Sequence, residues 1–154
     1  MRLTIGWVAI VLGIGAAVVR GQAPDSRLTI ADVEKISGLK GVTQVAKAST
    51  PGAGGNLNFV GPDGKLLLMV NFGSAALYDG AKKAPMTLHA LVPRLGDEAF
   101  DGPAIGAVQY TLYVKKGTKA FSLASFFVPG SRPLQPRLNM DQLKAVAKTV
   151  LSRL

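Results

Sequence analysis

Apolar and polar positions alternate most clearly between Ala107 and Val128. Val108, Tyr110, Leu112 and Val114 occupy every second position, and strand side chains alternate with period two, so they share one face of a predicted strand. Lys115-Lys116-Gly117-Thr118-Lys119 interrupts the pattern, and Gly117 supplies the positive φ that a short hairpin connection needs. Phe121, Leu123 and Phe127 then share a face of the returning strand. A lone hairpin is marginal in water, so further strands and a helix must cover it.

The rest of the chain supplies both. Thr29 is placed as an N-cap, with Asp32 and Glu34 early in the helix, where negative charge suits the helix dipole. Ile30, Val33 and Ile36 recur at helical spacing, and Gly38 is the stop. Val42 to Ala48 reads as a strand. Asn56–Val60 and Leu66–Phe72 read as two strands joined by Gly61-Pro62-Asp63-Gly64, where Pro62 presets the first turn angle and Gly64 permits a left-handed one. The unbroken apolar run Leu66 to Val70 predicts a strand buried on both faces. Ser74 to Lys83 reads as a short helix capped by Ser74, Leu88 to Val92 as a strand, and Leu95 to Phe100 as a turn-rich connection. Pro129 ends the last strand. Asn139 caps a final helix with Asp141 in its first turn and an apolar stripe of Leu143, Val146, Ala147, Val150, Leu151 and Leu154. These elements predict an α+β domain: an antiparallel sheet of about five or six strands built from hairpins, packed by an N-terminal and a C-terminal helix.

The 154 residues suit one domain, and a hydrophobic content of 48% suits a substantial core. Part of that apolar content lies in the uncharged run Leu3 to Val19, between Arg2 and Arg20. Its length fits the core of a signal peptide and is short for a membrane span, and Gly13 and Gly15 weaken it as a permanent helix. Residues 1–21 are therefore expected to be a signal peptide cleaved before Gln22, or else an uncleaved anchor. Residues 22–28 form a linker and 29–154 the domain. Either way the domain is expected outside the cytoplasm, with membrane contact only through the N-terminal segment if it is retained. The net charge of +9 falls to +7 once Arg2 and Arg20 leave with the leader. A basic exported protein meets acidic envelope partners, wall polymers or anionic lipid; nucleic acid fits the address poorly.

The chemistry on offer is sparse. The chain has no cysteine, so it has no disulfide, thiol nucleophile, zinc-thiolate site or lipoprotein anchor. His89 is the lone histidine; a Ser-His-Asp site is formally open to it, but no Gly-x-Ser-x-Gly elbow accompanies it. Gly52-Ala53-Gly54-Gly55 lacks the Lys-Ser/Thr of a phosphate loop. Asp97, Glu98 and Asp101 form the densest acidic group without the spacing of a known calcium loop, so Gly96, Asp97 and Glu98 are read as a structural turn, with Asp97 accepting backbone hydrogen bonds. Asn56, Asn58 and Asn71 lie in strand-like segments, at an edge or lining a cleft. Lys115, Lys116 and Lys119 gather at the hairpin tip and are the candidate surface-binding residues. No cofactor or metal is implied.

Leu28-Thr-Ile-Ala-Asp-Val-Glu34, Leu95-Gly-Asp-Glu-Ala-Phe100, Val114-Lys-Lys-Gly117 and Val150-Leu-Ser-Arg-Leu154, in that order, resemble small exported bacterial proteins and lipoproteins with a PsbP-like α/β/α sandwich. The resemblance implies an exported α/β/α domain and carries no catalytic residues; the chain departs from it in having no lipid-anchor cysteine. The expected function is a non-enzymatic binding module of the cell envelope that recognises an acidic partner or surface. The alternatives are a hydrolase using His89 with Ser and Asp, or a structural accessory subunit of an envelope complex.

Overall fold

The computed structural model describes residues 25–46, 55–84, 90–102 and 108–154; the expected leader lies outside the described residues. The elements in chain order are α1 (Ile30–Ser37), β1 (Thr43–Ala46), β2 (Asn56–Val60), β3 (Leu66–Ser74), α2 (Ala75–Lys82), β4 (Ala90–Leu91), β5 (Glu98–Gly102), β6 (Val108–Lys116), β7 (Lys119–Phe126) and α3 (Met140–Leu151). The strands form one antiparallel seven-stranded sheet in the order β1-β2-β3-β7-β6-β5-β4, an α+β architecture. Two meanders, β1-β2-β3 and β4-β5-β6-β7, meet where β3 pairs with β7.

Strand registers decide which face each side chain occupies. Leu57, Phe59, Leu68, Val70, Phe72, Leu112, Val114, Phe121 and Leu123 align across neighbouring strands and join Val33 of α1 and Leu143, Val146 and Val150 of α3 in one buried cluster. Each fully buried aliphatic or aromatic side chain there contributes about 1.5–3 kcal/mol of transfer free energy. The opposite face carries a smaller cluster of Tyr78, Phe100 and Ala120, under α2. The sheet is thus sandwiched between α1 with α3 on one side and α2 on the other.

Short-range signals set the helix ends. The Thr29 hydroxyl accepts from Asp32 N at 3.3 Å and Asp32 Oδ2 accepts from Thr29 N at 2.9 Å, a reciprocal capping box. Gly38 ends α1 at φ 74°. Asn139 and Gln142 form the same box on α3, and Gln142 Nε2 also donates to Ile36 O at 3.2 Å, tying α3 to the end of α1. The fully buried Ser125 hydroxyl accepts from Leu138 N at 2.9 Å and docks the entry to α3 on β7. Arg153 pairs with Asp32 at 2.6 Å and holds the Asp32 carboxyl well below the usual carboxylate range. The packed body begins ahead of Thr29: Leu28 is fully buried, and the Arg27 guanidinium lies 3.5 Å from the centre of the Phe72 ring.

Four local expectations need correction. Residues 98–102 are a strand rather than part of a turn, because β6 offers them an edge to pair with along Glu98↔Lys115 to Gly102↔Thr111. Phe127 lies beyond β7 in an isolated bridge to Pro136, so it does not extend the Phe121–Leu123 row. Ser74 holds the N-cap position of α2 without a side-chain cap bond. Of the strand expected over Leu88–Val92, Ala90–Leu91 form β4 and Val92 lies beyond its end; residues 88–89 lie outside the described residues. Leu66 to Val70 lies inside β3, with β2 and β7 on its two sides, and Leu67, Leu68 and Val70 are buried. Among the described residues no helix is long and apolar enough to cross a membrane.

Candidate functional site

The hairpin tip is built by the turn between β6 and β7, with Gly117 at φ 58°. The Gly96-Asp97 turn closes against it. Gly96 has φ 66°, and a Cβ there would stand 2.5 Å from Lys115 O, so neither the backbone angle nor the space admits a side chain. Asp97 N donates to Lys115 O at 2.9 Å, and Asp97 Oδ2 accepts from Gly117 N at 2.6 Å. Asp97 does accept a backbone hydrogen bond, from the facing hairpin. That bond, with Lys116 at 3.4 Å, holds its carboxyl below the usual range.

The three candidate lysines are brought together and given different partners. Lys115 Nζ lies 3.0 Å from Asp79 Oδ1 and 5.6 Å from the centre of the Tyr78 ring, so it fastens α2 to the sheet. Lys116 is exposed and shares Asp97, and Lys119 is exposed and donates to Leu154 O at 2.8 Å. The acidic group disperses: Glu98 pairs with Lys82, and Asp101 Oδ1 accepts from Ala90 N at 2.8 Å. Among the described residues no three acidic or histidine side chains cluster as a metal site. His89 lies outside the described residues.

A second region was not legible as a site. Beside α2, on the face away from α1 and α3, Asn71, Tyr78, Tyr113, Ala120 and Ser122 help to line a cavity of about 90 Å³. It adjoins a groove of about 620 Å³ with Arg27, Asn56, Ser74, Thr118, Lys119 and Leu154 along its walls; Asn71, Phe72, Gly73, Leu77 and Ala120 line both. Asn56 and Asn71 are register partners on β2 and β3 and do line a cleft. The opening exists because small residues meet: Gly73 of β3 stands opposite Ala120 of β7. The Leu77 side chain crosses Gly73 so closely that a Cβ would stand 2.5 Å from Leu77 Cδ1, and Leu77 nonetheless remains 68% exposed. Asp25 accepts from Arg27 Nε and Nη2 at 2.9 and 2.5 Å, which fixes the guanidinium and leaves Nη1 without a partner among the described residues. The one sequence signal for this cleft was the set of asparagines in strand segments.

Tyr78 is 2% exposed, and its hydroxyl has no hydrogen-bond partner among the described residues. Desolvation pushes its phenol up to about 12, with Glu98 and then Asp79 acting in the same sense, and burial also raises Tyr113. A phenol whose folded pKa lies above the unfolded value of about 10 leaves stability unchanged below pH 10 and lowers it as pH rises toward the folded pKa, because the unfolded chain ionises first. Tyr78→Phe is therefore expected to flatten the loss of stability between pH 10 and 12. At pH 7 it should leave stability equal or higher, since an unpaired buried hydroxyl costs about 1–3 kcal/mol. Urea midpoints across pH test both; a clear loss at pH 7 would mean that the hydroxyl has a partner.

Comparison of the chain with family models, with curated proteins and with solved structures finds no match, so the chemistry of the site stands on its own residues.

Proposed function

We propose that this chain is an exported, non-enzymatic binding module of the cell envelope that engages an acidic partner or anionic surface. The observation that carries the reading is how its charge is spent. Every aspartate and glutamate already has a partner within the fold: eight are in ion pairs, and Asp101 holds a backbone N–H. Lys35, Lys65, Lys83, Arg94, Lys119, Arg132 and Lys148 are exposed and have no acidic partner among the described residues. The surplus is thus displayed to solvent, where it attracts polyanions over about a Debye length. Lys119 presents part of it on the hairpin tip, beside the exposed Lys116 that pairs with Asp97.

Binding of the full-length chain to vesicles rich in anionic lipid, and to anionic wall polymer, should weaken as salt rises. Lys116→Glu with Lys119→Glu should weaken vesicle binding at least about tenfold, since each basic residue near an anionic surface is worth about 1 kcal/mol. Lys115 is left in place because it holds α2. Salt-insensitive binding, or an unchanged double variant, would remove the surface attraction. Ester or peptide hydrolysis that disappears in His89→Ala would replace the binding reading with the hydrolase one.

A further inference from the structure

We propose that the groove beside α2 and the cavity it adjoins form a binding site for a small organic carboxylate with a flat apolar body. The carboxylate would lie between Arg27 and Lys119, and the body against the outer side of Leu77, directed toward the cavity that Tyr78 and Tyr113 help to line. This site is separate from the diffuse surface attraction, because it recognises one small molecule inside a cleft.

Three features of the groove fit that ligand. Donors on its walls are Arg27, whose Nη1 has no partner among the described residues, the Lys119 ammonium with one of its three donors used by Leu154 O, and the Asn56 and Asn71 amides, one Asn71 donor being used by Ser122 Oγ. No aspartate, glutamate or histidine side chain lines either space among the described residues. Leu154 O also faces the groove and occupies one Lys119 donor; the donors left over favour an anion, and a planar guanidinium favours a carboxylate in particular. Arg27 is also positioned in advance. Asp25 grips its Nε–Nη2 edge and Phe72 supports its plane, so little side-chain freedom remains to be lost on binding.

The second feature is apolar. Leu77 lines both spaces and is 68% exposed, so it offers apolar surface to a ligand. A flat hydrocarbon lying against its outer side would cover it. The third is the inner end. The cavity of about 90 Å³ has aromatic walls, and the buried Tyr78 hydroxyl beside it lacks a partner. A space of that size admits the edge of a ring or a few methylene groups and no large ligand.

The test is a titration of the ¹⁵N-labelled full-length chain with phenylacetate, followed by amide chemical shifts, with phenylacetamide as the neutral isostere. Phenylacetate should give saturable shifts centred on Asn71, Gly73, Leu77 and Ala120. Phenylacetamide should bind at least about tenfold more weakly, because it forfeits charge-assisted hydrogen bonds. Lys119→Gln, an exposed substitution that should leave the melting temperature unchanged, should weaken phenylacetate about fivefold or more. Leu77→Ser should weaken both compounds, since it removes the apolar contact. Absence of saturable shifts in the groove with phenylacetate and with hexanoate would overturn the site. So would equal binding of acid and amide, or shifts centred on Lys35 and Lys148, which would mark surface attraction alone. None of these outcomes alters the vesicle experiment, so the two readings fail separately.

Discussion

Val146→Asp is expected to destabilise the domain by about 3–5 kcal/mol, a large share of the roughly 5–15 kcal/mol that holds a domain of this size. Val146 has 0% exposure on the inner face of α3, in the cluster that joins α1 and α3 to the sheet. A carboxylate there either ionises without a partner or stays protonated with its hydroxyl unpaired, and both routes lose the valine contacts as well. Lys148→Gln, an exposed change on the same helix, should stay within about 0.5 kcal/mol. Urea denaturation of the two variants beside the parent tests the claim. A Val146→Asp variant that melts with the parent would mean that α3 does not pack on the sheet through this face.

Gly96→Ala should cost about 2–4 kcal/mol, from the left-handed backbone angle together with overpacking against Lys115 O. The obstacle is backbone, 2.5 Å from the new Cβ, so no side chain can swing aside to relieve it. The damage should be local. The turn must lift off the hairpin tip, which loosens the bonds Asp97 N to Lys115 O and Gly117 N to Asp97 Oδ2. Hydrogen exchange should therefore accelerate at Asp97 and Gly117 in the variant and remain slow at Leu112 and Leu123. Gly64→Ala makes an instructive comparison. Gly64 also has a positive φ, but nothing stands within 4 Å of a Cβ there, so the cost should be confined to the backbone term of about 1–2 kcal/mol. Equal losses at the two sites would show that the close approach to Lys115 contributes nothing.

Much of the fold was legible along the chain because its determinants are local. Thr29 and Asp32 are three residues apart, Asn139 stands directly before the helix it caps, and Gly38, Gly64 and Gly117 act through their own φ. The period-two row of β6 and the helical stripe of α3 need only one element to be recognised. They identify the antiparallel α+β class and its two flanking helices without reference to any long-range contact. The strand over 98–102 escaped notice for the opposite reason. Ala99 and Phe100 are both buried, on opposite faces under different helices, so no alternation appears, and Asp101 and Gly102 are poor strand formers. Their extended state comes from the open edge of β6.

The same division runs through the candidate sites. That Lys115, Lys116 and Lys119 share a hairpin tip follows from five consecutive residues around Gly117. Which groups they meet depends on α2, the Gly96 turn and the segment after α3: Lys115 reaches Asp79 across 36 positions, and Lys119 reaches Leu154 O across 35. The groove is wholly a product of tertiary structure. By itself the sequence determined helix caps, turns, alternating strands and a surplus of positive charge, because each depends on neighbours in the chain or on a sum over it. Only the tertiary structure decided that β3 lies beside β7, that Gly73 therefore faces Ala120, and that Arg27 and Lys119 line one groove. Strand order and side-chain pairing are set by burial and hydrogen bonding between distant segments, which no local pattern encodes.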